Sequence, residues 1–245
     1  KNQWARRHAR RLLSARGEES TLRELGRVLK EYPTNNESSE QQALESLWIL
    51  QGTSLPQSNP LEMKQLVLAA LRSPSPNLQR WASRIAADHG INLGSALIEI
   101  ASNTKHAEVI SQLASAAQIL GDRPLIETLA RRGEFSTDPF IPLQLWWALE
   151  SLISHHPARA RELLPYSGFW DTPLFETVLS ERVGRRYMAE RSPESLRMCA
   201  QLLTTANGSG HLETLIRGMV KALEGTSLDP VPPELDAALA LLWKN

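Results

Sequence analysis

The sequence predicts an all-α fold, an α-solenoid of stacked antiparallel helix pairs of the HEAT or armadillo type, with about 12–14 helices. Three observations predict it. Apolar residues recur at helical spacing along nearly the whole chain. Glycine and proline cut that pattern into short segments. The segments then recur in pairs, roughly every 30 to 40 residues. No stretch of strict alternation is long enough to propose a strand.

Taken in order, Trp4-Ala5-Arg6-Arg7-His8 lies inside a first helix over 3–16, followed by one over 20–31. Ala43, Leu44, Leu47 and Trp48 form an apolar stripe on a helix over 38–51. Pro60 opens 60–72, and Pro76 opens 76–89, where Leu78, Trp81, Ala82, Ile85 and Ala86 share a face. Leu93, Ala96, Leu97, Ile100 and Ala101 repeat the spacing over 93–102. Ile110, Leu113, Ala114, Ala117 and Leu120 do so over 106–120. Helices over 124–131, 139–154 and 157–164 begin at prolines. Gly168-Phe169-Trp170-Asp171 reads as an irregular joint, and 172–190, 193–206, 210–223 and 232–243 complete the set. Gly17, Gly52, Gly90, Gly121 and Gly133 follow apolar runs, where a left-handed cap is wanted. Pro33 and Pro74 fall in turns. Asp138 and Ser192, each before a proline, are expected N-caps.

Residues 43–48, 81–86, 113–117 and 145–149 are expected to be equivalent first helices of successive pairs. Small alanines there let helices approach closely, and Trp or Leu fills the wider gaps. The chain divides by this signal into HEAT-like repeats over 1–165 and a degenerate continuation or C-terminal cap over 166–245.

A hydrophobic fraction of 42% and a charged fraction of 22% are those of a chain that buries a core. The 27 acidic and 27 basic residues balance, so no global field draws in nucleic acid or an anionic membrane. No apolar run reaches membrane-spanning length. One cysteine, Cys199, excludes an internal disulfide and any cysteine-built zinc site. The chain opens at Lys1 without a methionine and already mid-helix, so it is expected to be a segment of a longer protein.

Motifs that carry chemistry are absent. There is no Cys-x-x-Cys-His, no phosphate-cradling glycine loop and no Gly-x-Ser-x-Gly elbow. Asn207-Gly208-Ser209-Gly210 fits a turn. His155 and His156 adjoin Pro157 at a helix junction and suit a surface turn rather than a metal. His8, His89, His106 and His211 are isolated, and Cys199 lies mid-helix as a small hydrophobe. The catalytic, cofactor-binding and metal sets are therefore expected to be empty. Two features remain. Arg6, Arg7 and Arg10 cluster on the first helix ahead of any acid. Trp146 and Trp147 point about 100° apart on one helix, so one of them must meet a neighbouring helix or domain. These five form the expected interaction surface.

Several strings together resemble the HEAT-like region of large haem-binding, membrane-bound dehydrogenases of planctomycete-type bacteria. Trp4-Ala5-Arg6-Arg7-His8-Ala9-Arg10-Arg11-Leu12-Leu13 resembles that family's opening helix. Ala43 to Trp48 and Asn77-Leu78-Gln79-Arg80-Trp81-Ala82 are similar to later ones. Asp138-Pro139-Phe140-Ile141-Pro142-Leu143-Gln144-Leu145-Trp146-Trp147-Ala148-Leu149-Glu150 is the most specific, and Ile216 to Gly225 also fits. The resemblance implies a periplasmic or cell-envelope redox protein in which this solenoid sits between a quinone-dependent sugar-dehydrogenase-like propeller and a c-type haem domain. It places haem c and quinone in other domains and none here. The expected partners are neighbouring domains of the same chain or another protein, with no nucleic acid and no membrane insertion.

The preferred expectation is thus a non-catalytic scaffold for periplasmic electron transfer. A peptide- or carbohydrate-binding solenoid is the alternative, to be recognised by an exposed aromatic or arginine cluster. A third reading, an enzyme acting on alkylated DNA bases, requires a basic groove that the neutral charge disfavours.

Overall fold

The computed structural model describes residues 3–32, 37–53, 58–206 and 210–242. Lys1, Pro33 and Asn207-Gly208-Ser209 lie outside the described residues. Among those described every regular element is helical, and none of the helices is long and apolar enough to cross a membrane. The chain separates into two compact units, 1–125 and 126–245.

The first unit holds α1 (Gln3–Arg16), α2 (Glu19–Glu31), α3 (Glu37–Gln51), α4 (Pro60–Leu71), α5 (Pro76–Asp88), α6 (Ala96–Asn103) and α7 (Ala107–Leu120). Helix α8 (Arg123–Ala130) spans the division. From α1 to α7 each helix packs on the next but one, and α2 on α3, α3 on α4, α4 on α5 and α6 on α7 pack as chain neighbours. Helices α1, α3, α5 and α7 stack as one layer, and α2, α4 and α6 stack as the other. That is the packing order of a helical-repeat solenoid. The Ala/Trp helices α3, α5 and α7 do occupy equivalent places. However, of its two chain neighbours α3 packs more on α2 than on α4, and α5 more on α4 than on α6, so they are second rather than first in their pairs. The inner faces are dry: Ala43, Leu47, Leu66, Val67, Ala82, Ile85, Leu113 and Ala117 have no exposed surface. Each fully buried leucine or isoleucine contributes about 1.5–3 kcal/mol.

Starts and stops follow local chemistry. Asn59 accepts from the Glu62 amide at 3.2 Å, and Ser75 accepts from the Leu78 amide at 3.2 Å, each ahead of a proline at the first helical position. Gly17, Gly90 and Gly121 close their helices at positive φ, as expected. Gly52 and Gly133 do not. Their role is close approach: a Cβ would lie 2.9 Å from Ser14 Oγ at the former and 2.9 Å from Pro173 at the latter. Helix α6 starts later than position 93, because the Asn92 side chain accepts from the Gly94 amide at 2.8 Å and holds a turn there.

The second unit contains a 3₁₀ turn (Gly133–Phe135), α9 (Ile141–His155), α10 (Pro157–Leu163), α11 (Ser167–Trp170), a π-helical turn (Phe175–Leu179), α12 (Ser180–Glu190), α13 (Pro193–Ala206), α14 (Leu212–Ala222) and α15 (Pro233–Leu242). The described helices number 15, above the expected 12–14. The irregular joint is itself helical, a four-residue turn pinned by the Trp170 indole N–H donating to the Leu164 carbonyl. Phe140, not Asp138, takes the N-cap position of α9, and Asp138 stands two residues earlier, accepting from the Phe140 and Ile141 amides at 2.8 and 2.9 Å. That placement leaves Pro139 before the helix rather than at its start.

The core of this unit is an aromatic cluster in which Phe175 meets Phe169 at 5.0 Å and Trp170 at 4.9 Å between ring centroids. Helices α12 and α14 make its most extensive helix contact. They cross at Gly184 and Gly218, where the two backbones touch.

Candidate docking grooves

Open grooves that carry charged side chains occur in both units. In the first unit a trough of about 820 Å³ runs between α1, α2 and α3. Arg6 and Arg10 stand on its α1 wall, Arg27 on α2 and Glu45 on α3. Most of its charge is already matched. Arg10 pairs with Glu45 at 2.9 Å and also lies over the Trp48 ring, 4.9 Å from its centroid. Arg27 donates to Glu24 and Glu31, at 2.6 Å each. Those contacts hold the Glu24 carboxyl below its ordinary value. Arg6 and Arg7 are exposed, and Arg7 is not part of the trough wall.

The tryptophans of this unit are not plain core. Trp48 and Trp81 are half-buried and meet edge to face at 5.3 Å, flanked by Arg10 and by Arg84, 5.2 Å above the Trp81 ring. The row links α1, α3 and α5 of one layer. Trp4 stacks on His8 at 5.2 Å and is 70% exposed.

In the second unit a groove of about 580 Å³ lies between α9 and the helix that runs through the π turn into α12. Trp146 and Glu150 line the α9 side. Thr177, Val178, Glu181, Arg182, Arg185, Arg186 and Ala189 line the other. The two acids are already engaged. Glu181 accepts from Lys221 at 2.7 Å and lies 3.9 Å from Arg217. The Lys221 hydrogen bond, with Lys221, Arg217 and Arg182 charges around it, holds the Glu181 carboxyl below its ordinary value. Glu150 faces Arg186 at 3.8 Å, and Arg186 also pairs with Glu190 at 2.7 Å. Arg182 lies over Trp146, 6.0 Å from the ring centroid. Arg182 and Arg185 are exposed and carry no salt bridge among the described residues.

Of the five residues expected to form an interaction surface, Arg6, Arg7 and Arg10 belong to the first unit and Trp146 and Trp147 to the second. Trp146 is 7% exposed and faces Arg182. Trp147 is 46% exposed, with Phe140, seven residues earlier, 68% exposed. The two tryptophans thus diverge, as their helical angle requires. Arg182, Arg185 and Arg186 were not singled out from the sequence. The one signal for them is their i, i+3, i+4 spacing, shared by any solvated helix face.

Other ionisable groups have structural surroundings. Cys199 is buried, and burial pushes its thiol up to about 12. Burial does the same to Tyr187, to about 12. His211, isolated in sequence, is buried against Trp170 and Phe175 with ring centroids 6.1 and 6.3 Å away. Among the described residues no group of three or more His, Cys, Asp or Glu is placed to hold a metal ion. No family model, no curated protein and no solved structure matches the chain.

Proposed function

We propose that this chain is a helical-repeat scaffold that docks protein partners and fixes their spacing, and that within its parent it links a dehydrogenase-like domain to a c-type cytochrome domain in the cell envelope. The observation that carries the docking half is the groove of the second unit, where two exposed arginines that form no salt bridge among the described residues share the groove with a tryptophan. The redox half rests on the resemblance of the Asp138–Glu150 and Ile216–Gly225 strings. Layered helices with dry inner faces favour a spacer, because a helix stack holds its length against thermal bending better than a coil linker.

The test uses the full-length protein that carries this chain. Its visible spectrum should show a c-type haem, and haem reduction by the dehydrogenase substrate should slow when a rigid helical insert lengthens the segment. An unchanged reduction rate would remove the spacer role, and a haem-free spectrum would remove the redox setting. Of the alternatives, a peptide-binding module is favoured over a carbohydrate-binding one by the guanidinium pair. Carbohydrate recognition would call instead for an aromatic platform with neutral polar neighbours.

A further inference from the structure

We infer that the groove between α9 and α12 binds an extended acidic peptide segment of a protein partner, with its carboxylates on Arg182 and Arg185. This rests on the docking reading above and names the chemistry of the partner. Four observations converge. First, the acids of the groove pair with other cations, Glu181 with Lys221 and Arg217 and Glu150 with Arg186, so among the described residues neither forms a salt bridge with Arg182 or Arg185, although the Arg182 charge also acts on Glu181. Second, those two guanidiniums are exposed one helical turn apart, and each presents a planar fork of N–H donors suited to a carboxylate. Third, Arg182 is braced over the Trp146 ring, which limits the side-chain freedom lost on binding. Fourth, the wall is built on a π-helical turn that places Thr177 and Val178 in the groove. Such turns carry weaker hydrogen-bond geometry than an α-helix and are concentrated at functional sites.

Dimensions fix the ligand. From Val178 to Ala189 a helix rises about 16 Å, the length of roughly five extended residues. Arginines at i and i+3 stand roughly 5–6 Å apart at their Cβ atoms. Alternate side chains of an extended peptide lie about 6.6 Å apart on one side. Two carboxylates separated by one residue therefore match Arg182 and Arg185, and the intervening apolar residues face Trp146. A nucleic-acid backbone fits less well. It brings a charge at every nucleotide, while the groove offers two cations that form no salt bridge among the described residues, beside two carboxylates, in a chain of zero net charge.

The probe is a labelled five-residue peptide of alternating glutamate and leucine, followed by fluorescence anisotropy at low and high salt. Saturable, salt-weakened binding is expected. The double variant Arg182→Gln with Arg185→Gln should weaken it about tenfold or more, with an unchanged melting temperature because both side chains are exposed. The first-unit variant Arg6→Gln with Arg7→Gln should leave it unchanged. A peptide of the same composition with its glutamates consecutive should bind several-fold less tightly. The charge-reversed variant Arg182→Glu with Arg185→Glu should prefer the lysine–leucine peptide. The inference is overturned by no saturable binding up to about 1 mM, by equal loss in the first-unit variant, or by equal affinity for the consecutive-glutamate peptide. Tighter binding of a single-stranded oligonucleotide through the same two arginines would replace the peptide with nucleic acid. Failure here is distinguishable from failure of the spacer reading, which is read from haem reduction.

Discussion

Replacing Gly218 by alanine should destabilise the second unit by about 2–3 kcal/mol, although alanine is the better helix former. Two effects of opposite sign compete. In a helix interior the exchange gains roughly 0.8–1 kcal/mol from reduced backbone freedom in the unfolded chain. Against it, a Cβ at Gly218 would lie 1.9 Å from the Glu181 carbonyl oxygen, 2.8 Å from the carbonyl carbon and 3.0 Å from the Arg185 amide nitrogen. An ordinary carbon–oxygen contact needs about 3.3 Å. The obstacle is backbone, so no rotamer change relieves it, and α12 and α14 must separate by more than 1 Å, roughly. A gap of that size forfeits a quarter to a half of each contact across the interface, and over-packing of this kind costs about 1–3 kcal/mol or more. The clash wins. Gly184→Ala should behave alike, since its Cβ would lie 2.4 Å from the Leu215 carbonyl oxygen. Gly26→Ala is the control. It too lies inside a helix, but its Cβ would meet only the end of the Leu66 side chain, Cδ2 at 3.2 Å and Cδ1 at 3.7 Å, which can turn away. It should be neutral or stabilising by up to about 1 kcal/mol. Urea unfolding followed by far-ultraviolet circular dichroism separates the three. If Gly218→Ala costs no more than Gly26→Ala, the reasoning about backbone contact is wrong.

The Glu181 carboxyl is held below its ordinary value of 4.5, so its pairing adds stability that is fully present above the carboxylate range and is lost as pH falls through the lower folded value. Comparing urea midpoints of wild type and Glu181→Gln from about pH 7 to about pH 3 should show a gap, below about 1 kcal/mol for so exposed a pair, that closes in acid. A gap that widens in acid would contradict the assignment. Cys199 should react with an aromatic disulfide reagent only as the chain unfolds, because its thiol is buried and pushed up to about 12. Stoichiometric labelling at once in native buffer would show it is reachable. Arg10→Ala removes both the Glu45 pair and the Trp48 contact and should cost about 1 kcal/mol by thermal melting, whereas Arg7→Ala on the same helix should cost almost nothing.

The helices were legible because their information is local. Ser75-Pro76 and Ser192-Pro193 each supply a cap and a fixed φ within two residues, and the structure starts helices there. Leu78, Ala82, Ile85 and Ala86 supply the 3.6-residue period and are all buried. What was not legible depends on a partner far along the chain. Gly184 and Gly218 read as weak points inside helices until the crossing of α12 and α14 turns the missing side chains into a contact. The π turn at Phe175–Leu179 leaves the helical pattern intact and so leaves no mark in it. His211 looked isolated because Trp170 and Phe175 are distant in sequence. Arg182 and Arg185 resemble any solvated helix face until Trp146, on another helix, is brought beside them. Of the site, then, Trp146 was visible in the sequence and the arginines were not.

The glycine crossing and the arginine groove are connected through Glu181. Its backbone carbonyl is the atom against which Gly218 packs, and its side chain is taken by Lys221, one turn beyond Gly218. Close approach of α12 and α14 thereby ties an acid of the groove to a cation on α14 rather than in a salt bridge to the arginines on its own helix. Lys221→Met should loosen it, leaving on the α14 side only the longer 3.9 Å contact with Arg217. Glu181 would then be able to pair with Arg185 at i+4, an exchange of one exposed ion pair for another that costs the fold little. It would cost the groove an unmatched guanidinium, so affinity for the alternating glutamate–leucine peptide should fall several-fold although Lys221 is not part of the groove wall. Loss of one positive charge alone would lower affinity slightly by long-range attraction, and Arg197→Met, which removes a charge from an exposed pair with Glu194, measures that share. Adding Glu181→Gln to Lys221→Met should restore binding, because no carboxylate remains to compete. If Lys221→Met and Arg197→Met weaken binding equally, or if the added Glu181→Gln restores nothing, Glu181 does not govern the charge state of the groove.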